Sequence, residues 1–78
     1  IGVVLTGMGN DGMRGVVAVR NAGGHVIAQD EATCVIFGMP SEAIKTGAVD
    51  QVLPIENIYG AIEKRMLYIH GAVRVGAL

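Results

Sequence analysis

The chain opens on Ile1–Leu5 (IGVVL), an apolar run with no polar residue inside it. A run without alternation predicts a strand buried on both faces, as in a parallel sheet. From Asp11 to Ala22 the period changes. Met13, Val16 and Val17 fall at i, i+3 and i+4, with Arg14 and Arg20 elsewhere on the wheel. This predicts a helix, stopped by Gly23 and Gly24. Val26–Ala28, within HVIAQD, reads as a second strand, so strand, helix and strand fall within about thirty residues, the signature of a βαβ unit. The loop DEATCVIFGM follows. Pro40 then opens a short helix, SEAIKT, which Gly47 ends. Val49–Leu53 (VDQVL) predicts a third strand. Pro54 begins a last helix in which Ile55, Ile58, Ile62, Met66 and Ile69 form an apolar stripe opposite Glu56, Glu63, Lys64 and Arg65. The tail from Gly71 has no clear period. The expected fold is α/β, with three parallel strands and about three helices.

Composition adds a question of context. The 78 residues allow one domain at most, 51% are apolar and 17% are charged, against roughly 25% charged in ordinary soluble domains. A small domain has a poor ratio of volume to surface and is expected to be more polar than average. The excess predicts that some apolar faces meet other protein. With a start that is not Met, this suggests the C-terminal part of a larger domain. The net charge of −1, with no basic patch and no interleaved aromatics, argues against nucleic acid. No apolar run is long enough to span a bilayer, and no signal peptide is visible. The single cysteine, Cys34, excludes an internal disulfide framework and fits a reducing compartment, the cytoplasm by default.

The chemistry concentrates in LTGMGNDGMRG, Leu5–Gly15. Gly7, Gly9 and Gly12 spell G-x-G-x-x-G between a strand and a helix. Three readings compete. In the first, the turn is structural, and Asn10 or Asp11 caps the helix. In the second, the turn binds a dinucleotide, and Asp30, at the end of the next strand, holds a ribose. Asp11 argues against this, because a carboxylate at the helix N-terminus occupies the amides and repels a phosphate. In the third, that carboxylate is the functional group. It stays ionised through hydrogen bonds to its charged form, stands at the carboxyl edge of the sheet, and orients a histidine as the acid of a Ser-His-Asp triad does. The glycines would then let a backbone amide approach an oxyanion.

The remaining candidates are weaker. His25 precedes its strand and His70 ends a returning helix, so both belong at the amino edge, opposite Asp11. Ser41 reads as helix-terminus chemistry. Cys34 lies on the correct edge without a histidine and reads as a buried, inert thiol. Met8 and Met39 are unusual in turns, and either could be core filler. No metal-ligand cluster stands out. From the residues alone, the choice of reaction stays open.

The segments LTGMGNDG, AQDEATCVIFGMPSEAI and TGAVDQVLP together resemble the C-terminal part of the chemotaxis-specific protein-glutamate methylesterases, the CheB family. The resemblance runs from Ile1 to about Ile58. It implies a doubly wound, Rossmann-like α/β catalytic domain that hydrolyses glutamate methyl esters on chemoreceptors and often deamidates glutamines. It implies a Ser-His-Asp triad with no metal and no cofactor. By position in the motif, Asp11 is the triad aspartate, and Met8 lines the active site with its backbone amide as a candidate oxyanion donor. The family's serine and histidine lie upstream, as does an N-terminal receiver domain phosphorylated by the chemotaxis histidine kinase. Residues 1–78 are thus expected to be a fragment of the catalytic domain, inactive alone, with the upstream half, the receiver and methyl-accepting receptors as partners. A dinucleotide-binding module remains the alternative.

Overall fold

The computed structural model describes residues 1–10 and 12–67. The elements alternate along the chain: β1 (Gly2–Val4), α1 (Met13–Asn21), β2 (Val26–Gln29), α2 (Gly38–Lys45), β3 (Gln51–Leu53) and α3 (Ile55–Met66). The three strands are parallel in the order β1-β2-β3. Val3 lies beside Ile27, and Ile27 beside Gln51. The expected α/β class, with three strands and three helices, is what forms.

β2 is the centre of the sheet and is buried from end to end. It alone has hydrogen-bonded neighbours on both sides. On one face, Val4, Val16, Val26, Ala43 and Ala48 form a core against which Met13, Val19, Met39 and Val49 pack. Ala43, wholly buried, is the small residue that α2 turns to the sheet. Alternation sends Ile27 and Gln29 to the other face of β2. There α3 packs against the strand and buries Ile58. Burying Val26 or Ile27 contributes about 1.5–3 kcal/mol each.

The structure corrects the element boundaries and one burial expectation. β1 is three residues long and is not buried on both faces. Val4 is buried, whereas Ile1, Val3 and Leu5 are exposed. α1 packs on β1 from the Val4 side, while α3 packs against β2 and leaves the opposite face of β1 uncovered. α1 starts at Met13 and ends at Asn21. The amides of Ala22 and Gly23 then bond back to Ala18 and Arg20, with Gly23 at φ +84°. β2 extends one residue further than expected, to Gln29. α2 begins at Gly38, before Pro40 rather than after it. Pro40 still falls in the first turn, where amide hydrogens have no partner within the helix and a missing one is tolerated. β3 starts at Gln51 because Val49 turns into the core and Asp50 bonds to Val26. The α3 stripe is only partly used. Ile58 is buried and Ile62 half-buried, but Ile55 and Met66 are exposed. Ile69 and the tail from Gly71 lie outside the described residues.

Candidate active site

The loops that leave β1 and β2, and the N-terminus of α3, meet at the carboxyl edge of the sheet. Hydrogen bonds tie them into one assembly. Thr6 Oγ1 donates to the carbonyl of Ile36 at 3.1 Å and accepts its amide at 2.9 Å. The Gly7 amide donates to Ile36 O, and the Met39 amide to Gly7 O, each at 2.9 Å. Gly7 and Phe37 thus form a parallel bridge beyond the ends of the strands. Below them, the Gln29 amide accepts the N–H of Thr6 at 2.8 Å and donates to Thr33 O at 2.7 Å. Thr33 Oγ1 donates to Asp30 Oδ1 at 2.7 Å and accepts the Ile55 amide at 3.0 Å. One hydroxyl thereby joins the β2 loop to the start of α3.

The three glycines of the motif serve different ends. A side chain on Gly7 or Gly12 would meet Met39, at 3.5 Å and 3.3 Å. Gly9 faces open space, but its φ of +101° is one that residues with a Cβ rarely adopt. Met39 is therefore packing, as one of the two methionine readings had it. Met8 is 78% exposed at the tip of the loop. Among the described residues, no hydrogen bond engages the amides of Met8, Gly9 or Asn10. Asn10 supports the helix start through its carbonyl, which accepts the Met13 amide at 3.2 Å. The N-cap position itself is Gly12, with no side-chain cap. Asp11 lies outside the described residues, between Asn10 and Gly12.

Asp30, the acid of the dinucleotide reading, is already engaged. It accepts both the amide and the hydroxyl of Thr33. With Met39 packed against Gly7 and Gly12, and Gly9 required by its φ of +101°, the G-x-G-x-x-G spacing is accounted for by the packing and backbone conformation of the loop.

His25 sits at the amino edge, as expected. Its Nε2 lies 2.8 Å from Gln51 Oε1, and its Nδ1 lies 3.7 Å from Asp50 Oδ2. The same aspartate accepts the Val26 amide at 2.8 Å and pairs with Arg20 Nε at 3.3 Å. The four residues of β2 put this cluster about 13 Å from the glycine loop, so His25 does not serve it. His70 lies outside the described residues. Cys34 is at the carboxyl edge but half-buried rather than buried. Ser41 belongs to the first turns of α2, its amide bonding to Phe37 O. Gln29 is the residue that sequence reasoning missed. Its signal was a lone amide closing a strand of Val, Ile and Ala. Among the described residues, no His/Cys/Asp/Glu group could hold a metal ion, and no helix is long and apolar enough to cross a membrane.

Residues 1–62 match the family model described as CheB methylesterase. The protein-glutamate methylesterase/protein-glutamine glutaminase 2 of Pseudomonas aeruginosa is 59% identical over 59 residues, which is 76% of this chain and 17% of that protein. The Pyrococcus horikoshii protein-glutamate methylesterase/protein-glutamine glutaminase is 50% identical over 76 residues, 97% of this chain and 21% of that protein. This likeness extends past Ile58. The chain thus spans about a fifth of the length of these curated relatives. The crystal structure of the Thermotoga maritima CheB methylesterase catalytic domain superposes with a TM-score of 0.70 at 54% identity, covering 72% of this chain and 30% of that one. These matches do not favour a dinucleotide-binding module. The glycine loop, its bridge to Phe37 and the sheet beneath it all fall within the matched residues, and the chain belongs to the CheB methylesterase family.

Proposed function

We propose that the protein carrying this chain is a protein-glutamate methylesterase that acts on methylated chemoreceptors and also deamidates receptor glutamines. Residues 1–78 form the C-terminal part of its catalytic domain. A serine and a histidine come from the rest of the protein, upstream, where a receiver domain also belongs. The serine, deprotonated by the histidine, attacks the glutamyl ester carbonyl. Asp11 holds the histidine in the required tautomer and stabilises the imidazolium. The Met8 amide donates to the oxyanion. Collapse of the tetrahedral intermediate breaks the bond to methoxide, which leaves as methanol with the proton from histidine. Water then hydrolyses the acyl-enzyme, leaving glutamate and the free serine. The setting is the cytoplasm, in keeping with a single free thiol.

The observation that carries this reading is the loop Met8–Asn10, whose amides are unengaged among the described residues, at the carboxyl edge of a sheet matched by the family model. In parallel α/β sheets this edge is where ligands bind. The test is methanol release from methylated receptor by the intact protein, with and without Asp11→Asn. Loss of about 10⁴ in turnover is expected, the size of the effect for the corresponding change in a serine protease. Near-normal turnover in a folded variant would remove Asp11 from the triad.

A further inference from the structure

The glycine loop rests on one buried amide. Gln29 is 2% exposed and closes β2 after three fully buried apolar residues. A buried side-chain amide must find partners for both of its ends. The partners here fix its orientation, since Thr6 N–H can only donate and Thr33 O can only accept. Oε1 therefore faces Thr6 at 2.8 Å, and Nε2 faces Thr33 O at 2.7 Å and Thr33 Oγ1 at 3.2 Å. Thr6 lies in the motif loop that follows β1, and Thr33 lies in the loop that follows β2. The second loop returns to the first through Ile36, Phe37 and Met39. Gln29 thus closes a ring of hydrogen bonds under the turn that presents the Met8 amide.

We infer that Gln29 is a positioning residue for the candidate active site. Its two-ended amide sets the distance between the glycine loop and the Asp30–Phe37 loop, and through it the placement of the Met8 amide. The inference rests on the methylesterase reading above. Gln29 has no surface with which to touch a receptor, so its effect falls on turnover and not on substrate binding. A misplacement of about 1 Å at a reacting group lowers rate by about 10²-fold.

The experiment uses the intact protein with methylated receptor. Gln29→Met keeps the length and removes both polar ends. It should lower kcat by about 10²-fold and leave KM within about twofold. Gln29→Glu adds a signature that a purely structural role does not produce. A protonated glutamic acid reproduces one donor and one acceptor, whereas the carboxylate offers acceptors only and faces the Thr33 carbonyl. The ratio of variant to wild-type kcat should therefore rise as pH falls. Unfolding curves at each pH correct both rates to the folded fraction. Wild-type kcat in folded Gln29→Met, or a flat ratio for Gln29→Glu, overturns the inference. If Gln29→Met does not fold, the Gln29→Glu ratio decides. Hydrogen exchange at the bonded amides of Gly7, Ile36 and Met39 is the independent readout, and faster exchange is expected in both variants. Should the wild-type protein release no methanol, the methylesterase reading falls, and unchanged exchange at these amides would then overturn the positioning role on its own.

Discussion

Replacing Gly38 by alanine tests how tightly the candidate site is built. Gly38 opens α2 directly beneath the glycine loop. A Cβ there would stand 2.9 Å from Gly7 O, 3.2 Å from the Met8 Cα and 3.6 Å from the Gly9 nitrogen. All three are backbone atoms, so no side chain can rotate out of the way. Relief requires the loop to retreat by about 0.5 Å, to ordinary contact distance. That movement strains the two 2.9 Å bonds by which Gly7 holds Ile36 and Met39. Overpacking of this kind costs about 1–3 kcal/mol. A shift of half an ångström at the Met8 amide, the proposed oxyanion donor, should lower turnover by about tenfold, scaling from about 10²-fold per ångström. Gly24→Ala is the control. Its Cβ would fall 2.6 Å from Val19 Cγ1 and 2.7 Å from Val19 O, a closer clash, but at the amino edge. Urea unfolding and methanol release at saturating receptor, measured on the intact protein, separate the two. Gly24→Ala should lose stability with kcat per folded molecule unchanged, and Gly38→Ala should lose both. Wild-type turnover in Gly38→Ala, or an equal fall in kcat for both variants, would refute the reasoning.

Titration calorimetry of the intact protein with NAD, NADP and FAD should give no saturable heat at about millimolar ligand, because Met39 packs against Gly7 and Gly12 of the glycine loop and the sequence puts a carboxylate beside the amides that a phosphate would need. Stoichiometric binding that Gly9→Val abolishes would restore the dinucleotide reading. Gly60→Ala, in the middle of α3 with nothing within 4 Å of the added methyl, should raise stability by about 0.5–1 kcal/mol, and a lower urea midpoint would show that other protein packs there. The 78-residue chain made alone should self-associate and bind a hydrophobic dye, since Ile1, Val3 and Leu5 are exposed beside an edge of β1 that has no partner strand among the described residues. A monodisperse monomer with a cooperative transition would contradict this.

The order of elements was legible because the chain's apolar periods are strong where the core is formed. Val26 and Ile27 lead an unbroken run and are wholly buried; Met13 and Val16 mark the inner face of α1, and His25 precedes its strand and sits at the amino edge. What escaped was set by tertiary context. IGVVL reads as two-faced burial, but which face is covered depends on where α1 and α3 lie, and neither covers Ile1, Val3 and Leu5. Pro40 marks a helix start, yet the bonds of Gly7 to Ile36 and Met39 draw the α2 N-terminus back to Gly38. The site was legible as a motif but not as a mechanical assembly. No local rule links Gln29 to Thr6, 23 positions away, or Thr33 to Ile55, 22 positions away.

The central place of β2 also has a kinetic side. Its partners are remote in sequence, with Gly2 pairing 24 positions ahead to Val26 and Ile27 pairing 24 ahead to Gln51. No hairpin joins any two of the three strands, so no pairing can begin as a local turn. Each closure must order a loop of more than twenty residues before the first ladder bond forms, and topologies of this kind fold slowly. During synthesis at about 5–20 residues per second, β1 leaves the ribosome more than a second before β2 can meet it. For that interval the IGVVL segment is an apolar strand without a mate among residues 1–78, the period in which capture by a chaperone would matter most.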